Sequence, residues 1–141
     1  MTSLRLYGIP LSQPFRAVQW MLDGHDVGYD LKSIMPGSKQ SNGTKSKDFV
    51  KKFPNATIPA LEDSERRVVI TESHAILIYL AEKYQWHDVY PGYDIRLRTK
   101  INEYLHWHHR NTREITLTLF APLMRKDLSF DTDTVKKVEN M

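Results

Sequence analysis

The chain of 141 residues contains no cysteine. It therefore has no thiol for a disulfide bond, for a thiolate metal site or for a cysteine nucleophile. Such a composition is compatible with a reducing compartment, and we expect a cytoplasmic protein. Any thiol that takes part in its chemistry has to arrive with a ligand.

The sequence also lacks a long apolar run and a strong net charge. No stretch approaches the ~20 apolar residues of a membrane span, and residues 1–7 lack the apolar core of a signal peptide. The net charge of +3 is too small to indicate nucleic-acid binding. With 40% apolar and 26% charged residues, the composition is that of a globular protein. We expect partners other than membranes and nucleic acids.

The first 84 residues show an alternation of strand and helix patterns. The predicted order is strand (3–7), helix (14–24), strand (28–34), polar loop (36–44), short helix (46–53), strand (60–62), strand (68–70) and helix (74–84). A strand–helix–strand start requires a parallel pair with a right-handed crossover, and the closing hairpin adds antiparallel strands. The sequence therefore predicts a thioredoxin-like α/β domain over residues 1–84.

Residues 85–141 have a different character. After a linker over residues 85–93, apolar side chains at Leu97, Ile101 and Leu105 predict one long helix from Asp94 to about residue 120. Pro122 is expected to end or kink it, and another helix is expected over residues 135–140. The apolar stretch 117–124 exceeds what one helix can bury. We therefore expect residues 94–141 to be the first part of an all-helical domain, truncated from a longer product.

Two features of the first domain point to recognition of a small peptide. Proline donates no ladder hydrogen bond, so a tight turn is predicted at Ile58–Pro59 before the strand that follows, with the isomer of the bond left open. Glu72 and Ser73 then precede a strongly periodic helix. Free backbone groups at such a turn can pair with a peptide amide. The N–H groups at a helix start can take its carboxylate.

Ser12 lies just before the helix that Pro14 begins. Its hydroxyl either caps that helix or donates a hydrogen bond to a bound anion in the positive field of the helix end. A site of this type can lower the pKa of a free thiol from about 8.5 toward neutrality. The six histidines of the chain show no context that would make a catalytic triad. His106 and His109 are a weak two-ligand pair, so no metal is expected.

Several motifs together resemble the glutathione transferases, and the theta class in particular. They are Leu11-Ser12-Gln13-Pro14-Phe15-Arg16-Ala17, Ile58-Pro59-Ala60-Leu61, Thr71-Glu72-Ser73-His74-Ala75-Ile76-Leu77-Ile78-Tyr79-Leu80, and the Glu-Tyr-Leu-x-Trp-His pattern of residues 103–108. Any one of them is weak evidence, but their order and spacing together are specific. The resemblance covers about the whole chain, and it implies a thioredoxin-like first domain and an all-helical second domain.

The resemblance implies a role for each matching residue. Ser12 matches the serine that hydrogen-bonds the glutathione sulfur and favours the thiolate, and Arg113 matches an arginine on the electrophile side of the cleft. The implied glutathione-binding residues are Gln13, Lys45, Thr57, Ile58, Pro59, Glu72 and Ser73. The backbone of Ile58 is implied to pair with the cysteinyl amide beside a cis Pro59. Glu72 and Ser73 are implied to hold the γ-glutamyl end, and Lys45 the glycyl carboxylate.

Some positions depart from the family pattern. The loop 36–44 is longer than usual, Thr44 stands nearest to a common histidine, Thr57 stands where a lysine is frequent, and Arg110 where an acidic residue can occur. These departures bear on glutathione affinity more than on the fold. Nearby lysines either raise the local potential for an anionic tripeptide or form a solvated surface; they are Lys39, Lys45, Lys47, Lys51 and Lys52.

The expected function is that of a glutathione transferase, with glutathione as co-substrate and no metal. The thiolate attacks a hydrophobic electrophile or an organic hydroperoxide, and the family implies a homodimer. Two alternatives stay open: a non-catalytic transferase-like assembly module, and a carrier of apolar ligands. The truncated chain is expected to be weakly active or inactive, because much of the electrophile pocket would come from helices beyond residue 141.

Overall fold

The structure is a computed structural model, and it describes residues 2–124 and 132–139. The chain divides into two compact units, residues 1–86 and residues 87–141. The elements of the first unit are β1 (Leu4–Gly8), α1 (Gln13–Gly24), β2 (Asp30–Ser33), α2 (Lys47–Lys52), β3 (Ala60–Asp63), β4 (Val68–Thr71) and α3 (Ser73–Tyr84). The predicted order of strands and helices is confirmed, with boundaries shifted by one or two residues.

The four strands form one sheet in the order β2-β1-β3-β4. β1 pairs with β2 in parallel and with β3 antiparallel, and β3 pairs with β4 antiparallel. The parallel pair needs a crossover, which α1 supplies, whereas the antiparallel pair needs only the short turn after Asp63. This is the thioredoxin-like arrangement that the sequence predicts.

Each face of the sheet carries its own apolar cluster, because successive residues of a strand point to opposite faces. On one face, Leu4 and Leu6 of β1 are fully buried. They pack with residues of α1, β3 and α3, namely Phe15, Val18, Leu22, Leu61, Ile76 and Leu80. On the other face, Tyr7 meets the ring of Phe53 edge-on at a centroid distance of 5.0 Å. α1 and α3 therefore cover one face of β1, and α2 covers the other.

A buried carboxylate ties the turn between β3 and β4 to α3. Asp63 is fully buried and accepts hydrogen bonds from Tyr79 Oη at 2.6 Å and Lys83 Nζ at 2.5 Å. It also accepts from the backbone N–H groups of Glu65 and Arg66 at 3.0 and 3.3 Å. A buried charge is tolerated only when it is paired and hydrogen-bonded. The hairpin and α3 are thus fastened together at the end of the sheet where β1 begins.

The second unit is helical but does not contain the single long helix expected from Asp94 to about residue 120. Its elements are α4 (Ile95–Arg110), α5 (Thr112–Ile115), a π-helical segment (Thr116–Phe120), α6 (Ala121–Met124) and α7 (Thr132–Glu139). Asp94 caps α4 by accepting hydrogen bonds from Arg96 N and Leu97 N. The predicted helix near the end of the chain is present as α7, while residues 131, 140 and 141 lie outside the described residues.

Two local causes explain the breaks. At the end of α4 the side-chain nitrogen of Asn111 donates to the carbonyl of Trp107 at 2.8 Å, and the backbone N–H of Asn111 donates to the same carbonyl at 3.0 Å. Pro122 has no N–H to donate to the fourth residue before it, and its ring crowds the carbonyl there. The wider turn of the π-helical segment precedes this proline, as such insertions commonly relieve a disturbed hydrogen-bond ladder. Pro122 lies inside α6, so the prediction that it ends or kinks the helix stays a prediction, and the prediction of one continuous α-helix up to it is wrong.

Within the described residues, no helix combines the length and the apolar character that crossing a membrane requires.

Candidate functional site

The strand register brings several chain turns to one edge of the sheet. Tyr7 lies opposite Ala60, and Ala60 lies opposite Thr71. Gly8, which follows Tyr7, lies opposite Ser33 at the end of β2. Neighbouring strands are about 4.8 Å apart. The segments that leave β1, β2 and β4 and the segment that enters β3 therefore begin side by side, and these segments carry the predicted site residues of the first unit.

Ser12 occupies the N-cap position of α1, with φ −76° and ψ 119°. Its N–H donates to the Ile9 carbonyl at 3.0 Å, and its own carbonyl accepts from Arg16 N at 3.0 Å. The hydroxyl makes no capping hydrogen bond with the start of the helix. Of the two interpretations of this serine, capping is therefore not what its side chain does here. The hydroxyl stays available to a ligand beside the positive end of a helix.

A second hydroxyl near the end of β1 is already engaged. Tyr7 Oη donates to Glu62 Oε2 at 2.7 Å, and Lys52 Nζ donates to the same oxygen at 2.8 Å. Burial, together with the hydrogen bond to Glu62, raises the pKa of Tyr7. The hydrogen bond from Lys52 holds the pKa of Glu62 below its ordinary value. Tyr7 is thus unsuited to stabilise an anion, and Lys52 is not one of the freely solvated lysines.

The Ile58–Pro59 turn leaves a free strand end. The bond is cis, as the resemblance implies. Ile58 precedes β3 and is only partly buried, and its backbone makes no hydrogen bond with any part of the chain that the structure describes. Pro59 is buried, and Thr57 is exposed on the other side of Ile58. The N–H and C=O of Ile58 are therefore placed to pair with an extended peptide.

The start of α3 offers backbone donors to an anion. Glu72 has φ 73° and ψ 111°, a strained conformation for a residue with a side chain. Its carbonyl accepts the first helical hydrogen bond, from Ile76 N at 3.0 Å. No side chain caps this helix start, where Ser73 is the first helical residue. The N–H groups of a first helical turn lack intrahelical acceptors, so this end suits a carboxylate.

Asn55 links the Ile58–Pro59 turn to the end of β4. Its side-chain nitrogen donates to Thr71 Oγ1 at 3.0 Å. Asn55 lies in the turn that leads to Ile58, and Thr71 is the last residue of β4, directly before Glu72. The hydrogen bond therefore fixes the spacing between the turn and the start of α3.

The polar loop predicted over residues 36–44 has an ordered pattern of internal hydrogen bonds. Thr44 is buried, and its Oγ1 accepts from Gly37 N at 2.9 Å. Lys45 follows on the surface, with its N–H donating to the Ser38 carbonyl at 2.9 Å. The backbone of Lys45, at the end of the loop, is thus held by a hydrogen bond, and its ammonium lies on the surface. The other exposed lysines of this region are Lys39, Lys47, Lys51 and Lys52, of which Lys52 is paired with Glu62.

Gln13 and Arg113 complete the predicted set. Gln13 is the first residue of α1, next to Ser12. Arg113 lies in α5 of the second unit and is described apart from the residues above. Burial lowers the pKa of His108, and the positive charges of His109 and Arg113 lower it further. Among the described residues, no three His, Asp or Glu side chains come together as metal ligands would; the expected absence of a metal stays a prediction.

Sequence reasoning missed the part played by Arg16. Its Nη1 donates to the carbonyls of Pro10 and Leu11, at 2.8 and 3.1 Å. A signal was present, because cations are disfavoured near a helix N-terminus and Arg16 lies in the first turn of α1. Such a residue needs local acceptors, and the loop carbonyls provide them.

Comparisons with known proteins agree on one family. Residues 6–87 match the family model described as "Glutathione S-transferase, N-terminal domain". The chain is 34% identical to human glutathione S-transferase theta-1 over 116 residues, which are 81% of this chain and 45% of that protein. It is 37% identical to rat glutathione S-transferase theta-2 over 112 residues, 78% of this chain and 43% of that protein. The chain thus spans less than half the length of these relatives.

Solved structures agree with the sequence comparison. The structure of human glutathione transferase theta-2 in complex with glutathione and an unknown ligand superposes with a TM-score of 0.74. The identity is 29%, and the match covers 97% of this chain and 56% of that one.

Proposed function

This chain belongs to the glutathione S-transferase family, and we propose that it binds glutathione at the edge of its sheet and ionises the thiol with the Ser12 hydroxyl. The observation that carries the proposal is the uncommitted Ser12 hydroxyl at the N-terminus of α1. It lies on the segment leaving β1, on the same sheet edge as the Ile58 backbone and the start of α3. Glutathione in the complex of human theta-2 supports the choice of ligand.

Glutathione is proposed to bind as a short extended strand. The N–H and C=O of Ile58, which have no partner among the described residues, pair with the cysteinyl amide, as edge strands pair with peptides. The γ-glutamyl carboxylate lies at the start of α3, where Ser73 and the first N–H groups receive it. Glu72 lies near the amine, and Lys45 meets the glycyl carboxylate. Gln13 and Thr57 line the same site.

The chemistry follows from the position of the sulfur. The Ser12 hydroxyl donates a hydrogen bond to the thiolate, and the helix dipole adds positive potential. The thiol proton leaves to solvent. The thiolate sulfur then bonds to the electrophilic carbon of a hydrophobic substrate, whose leaving group departs with the bonding electrons. With an organic hydroperoxide the sulfur bonds to the terminal oxygen, the O–O bond breaks, the alkoxide takes a proton to become the alcohol, and the sulfur is oxidised to the sulfenic level. A pKa lowered by about two units corresponds to ~2.7 kcal/mol of preference for the thiolate. The assignment of Arg113 to the electrophile side stays a prediction.

A titration of bound glutathione tests the proposal. Ultraviolet difference absorbance reports the thiolate as the pH is raised, in the wild type and in Ser12→Ala. We expect Ser12→Ala to raise the pKa of the bound thiol by about one to two units, since a hydrogen bond to a charged group is worth ~1.5–3 kcal/mol. The affinity for glutathione is expected to stay within about threefold, because the backbone contacts remain.

Ser41→Ala is the matched control. Ser41 is exposed and makes no side-chain hydrogen bond with the rest of the described chain, so its removal is expected to leave the thiol pKa unchanged. If Ser12→Ala binds glutathione with an unaltered thiol pKa, Ser12 does not activate the thiol. The chain would then fit a non-catalytic assembly module or a carrier of apolar ligands.

We also propose that the protein is cytoplasmic and forms a homodimer. α4 supports the second point, because none of its described side chains is buried. Tyr104 and Trp107, which stack at a centroid distance of 6.1 Å, are each at least half exposed. Exposed aromatic pairs of this type are common at protein interfaces.

A further inference from the structure

Arg16 makes hydrogen bonds to the turn that carries Ser12. The turn Ile9–Ser12 is closed by the hydrogen bond from Ser12 N to the Ile9 carbonyl, at 3.0 Å. The carbonyls of the two residues between, Pro10 and Leu11, both accept from Arg16 Nη1, at 2.8 and 3.1 Å. Arg16 also donates its backbone N–H to the Ser12 carbonyl at 3.0 Å. One residue therefore holds three consecutive carbonyls, ending at Ser12 itself.

Little else holds this turn in place. Leu11 is 65% exposed, and Pro10 is exposed as well. The Ser12 hydroxyl does not cap the helix. Apart from the closing bond at Ile9, the position of Ser12 therefore depends on the start of α1 and on the Arg16 guanidinium.

A positive charge at the position of Arg16 destabilises the helix unless its guanidinium makes compensating hydrogen bonds there. A cation in the first turn of a helix opposes the helix dipole, and the first turn of α1 has no acidic residue to balance it. A guanidinium is planar and carries several donors, so it can hold two carbonyls at once. The partners seen among the described residues are these carbonyls, which place the charge on the turn and not on a carboxylate.

We propose that Arg16 is a positioning residue that sets the Ser12 hydroxyl toward the glutathione sulfur. It acts through the turn and touches neither the thiol nor the electrophile. The inference rests on the proposed function, because Ser12 must be the group that stabilises the thiolate. Without Arg16 the turn keeps its fold but loses the orientation of its last residue, and a hydrogen bond weakens steeply when its geometry is lost.

The test is the thiol titration applied to Arg16→Met and Arg16→Lys in the full chain. Arg16→Met is expected to raise the pKa of bound glutathione by about one unit, which is a tenfold fall in the ionisation constant of the thiol. Arg16→Lys keeps donors for the carbonyls and is expected to restore at least about half of that shift. Glutathione affinity is expected to stay within about threefold, because Arg16 donates to the turn and not to the peptide-binding backbone.

A double variant separates positioning from a general structural effect. If Arg16 acts through Ser12, then Arg16→Met adds less than about 0.3 pKa units in the Ser12→Ala background, because the two changes are not additive. Arg66→Met is the matched control: Arg66 is an exposed arginine at the far end of the sheet, and its replacement is expected to leave the thiol pKa unchanged. Should Arg16→Met fail to fold by circular dichroism, Arg16→Gln takes its place with the same expectation of a raised pKa.

The outcomes distinguish this inference from the function on which it rests. A raised thiol pKa in Ser12→Ala with an unchanged pKa in Arg16→Met would show that Arg16 does not position Ser12. Full additivity of the two changes would also overturn the inference, since Arg16 would then act independently of Ser12. An unchanged pKa in Ser12→Ala itself would refute the proposed function, and the role of Arg16 with it.

Discussion

Replacing Lys83 with methionine is expected to destabilise the first unit by about 3 kcal/mol. The side chain of Lys83 is 6% exposed and that of Asp63 is fully buried, with Nζ and Oδ2 in direct hydrogen-bond contact. Methionine fills a similar volume and removes the charge. It therefore leaves a buried carboxylate without its cation, which is the change that makes broken buried pairs expensive.

The magnitude follows from what Asp63 keeps. Removing one partner of a buried ion pair typically costs ~3–5 kcal/mol. Here the carboxylate still accepts from Tyr79 Oη at 2.6 Å and from the N–H groups of Glu65 and Arg66. These donors place the cost near the lower limit, at ~3 kcal/mol. For a unit of 86 residues, each kcal/mol lowers Tm by ~4–8 °C, so a fall of ~12–24 °C is expected.

Urea unfolding measures the effect, with an unchanged m-value as the sign that the same surface is exposed. Lys51→Met is the control, because Lys51 is an exposed lysine of α2 and its loss is expected to change stability by less than ~0.5 kcal/mol. A cost below ~1 kcal/mol for Lys83→Met would refute the reasoning, since the pair would then contribute no more than a surface ion pair.

The dependence on pH has a defined sign at each end. Burial raises the pKa of Asp63, but the hydrogen bonds from Lys83 and Tyr79 lower it by more than burial raises it. The pKa of Asp63 is therefore below its ordinary value. Its contribution is complete above the unfolded pKa of ~3.9 and is lost as the pH falls through the folded pKa. Burial lowers the pKa of Lys83, but hydrogen bonds to Asp63 and Glu65 raise it to about 12.

The contribution of Lys83 is therefore complete below its unfolded pKa of ~10.4 and is lost as the pH rises through about 12. The difference in stability between the wild type and Lys83→Met is expected to be largest between about pH 5 and pH 9. It narrows toward both extremes. A difference that stays constant from acid to alkaline pH would mean that the methionine acts by packing and not by charge.

Two further changes separate the candidate site from its scaffold. Tyr7→Phe removes the hydrogen bond to Glu62, which keeps Lys52 as a partner. We expect the free energy of unfolding in urea to fall by ~1 kcal/mol and the thiol pKa of bound glutathione to stay unchanged. A raised thiol pKa would make Tyr7 the activating group. Ser46→Ala removes the cap of α2, where Ser46 Oγ accepts from Phe49 N at 3.2 Å; a loss of ~1 kcal/mol is expected in the same assay, and an unaltered midpoint would show that the cap contributes nothing.

Local signals were enough to predict the first unit. The alternation around Leu4 and Leu6, the proline after Ser12 and the hairpin turn after Asp63 each specify an element without help from distant residues. The prediction of one long helix in the second unit was wrong, because the α-helix is interrupted at Asn111, whose side chain also donates to the Trp107 carbonyl, and in the π-helical segment before Pro122. Helical periodicity shows which face of a helix is apolar, and it carries no information about either interruption.

The candidate site divides in the same way. Ser12, Ile58, Pro59, Glu72 and Ser73 could be selected from motifs, because turns and helix starts have recognisable residues. The motifs do not predict whether the Ser12 hydroxyl caps its helix, and they do not predict the hydrogen bond from Lys52 to Glu62. Both questions concern which partner a polar group finds: the Ser12 hydroxyl leaves the adjacent helix start uncapped, and Lys52 pairs with Glu62, ten residues away.

The amino-acid order alone determined which segments are strands, which are helices and which family they match, because these properties repeat over short windows of the chain. Only the tertiary structure decided that Tyr7, Ala60 and Thr71 lie in one row, which brings three separate turns to a single edge. It also decided that the Tyr7 hydroxyl donates to Glu62, 55 residues away in the chain. Distance in space between groups distant in sequence is set by strand register and packing, and no local pattern of residues encodes it.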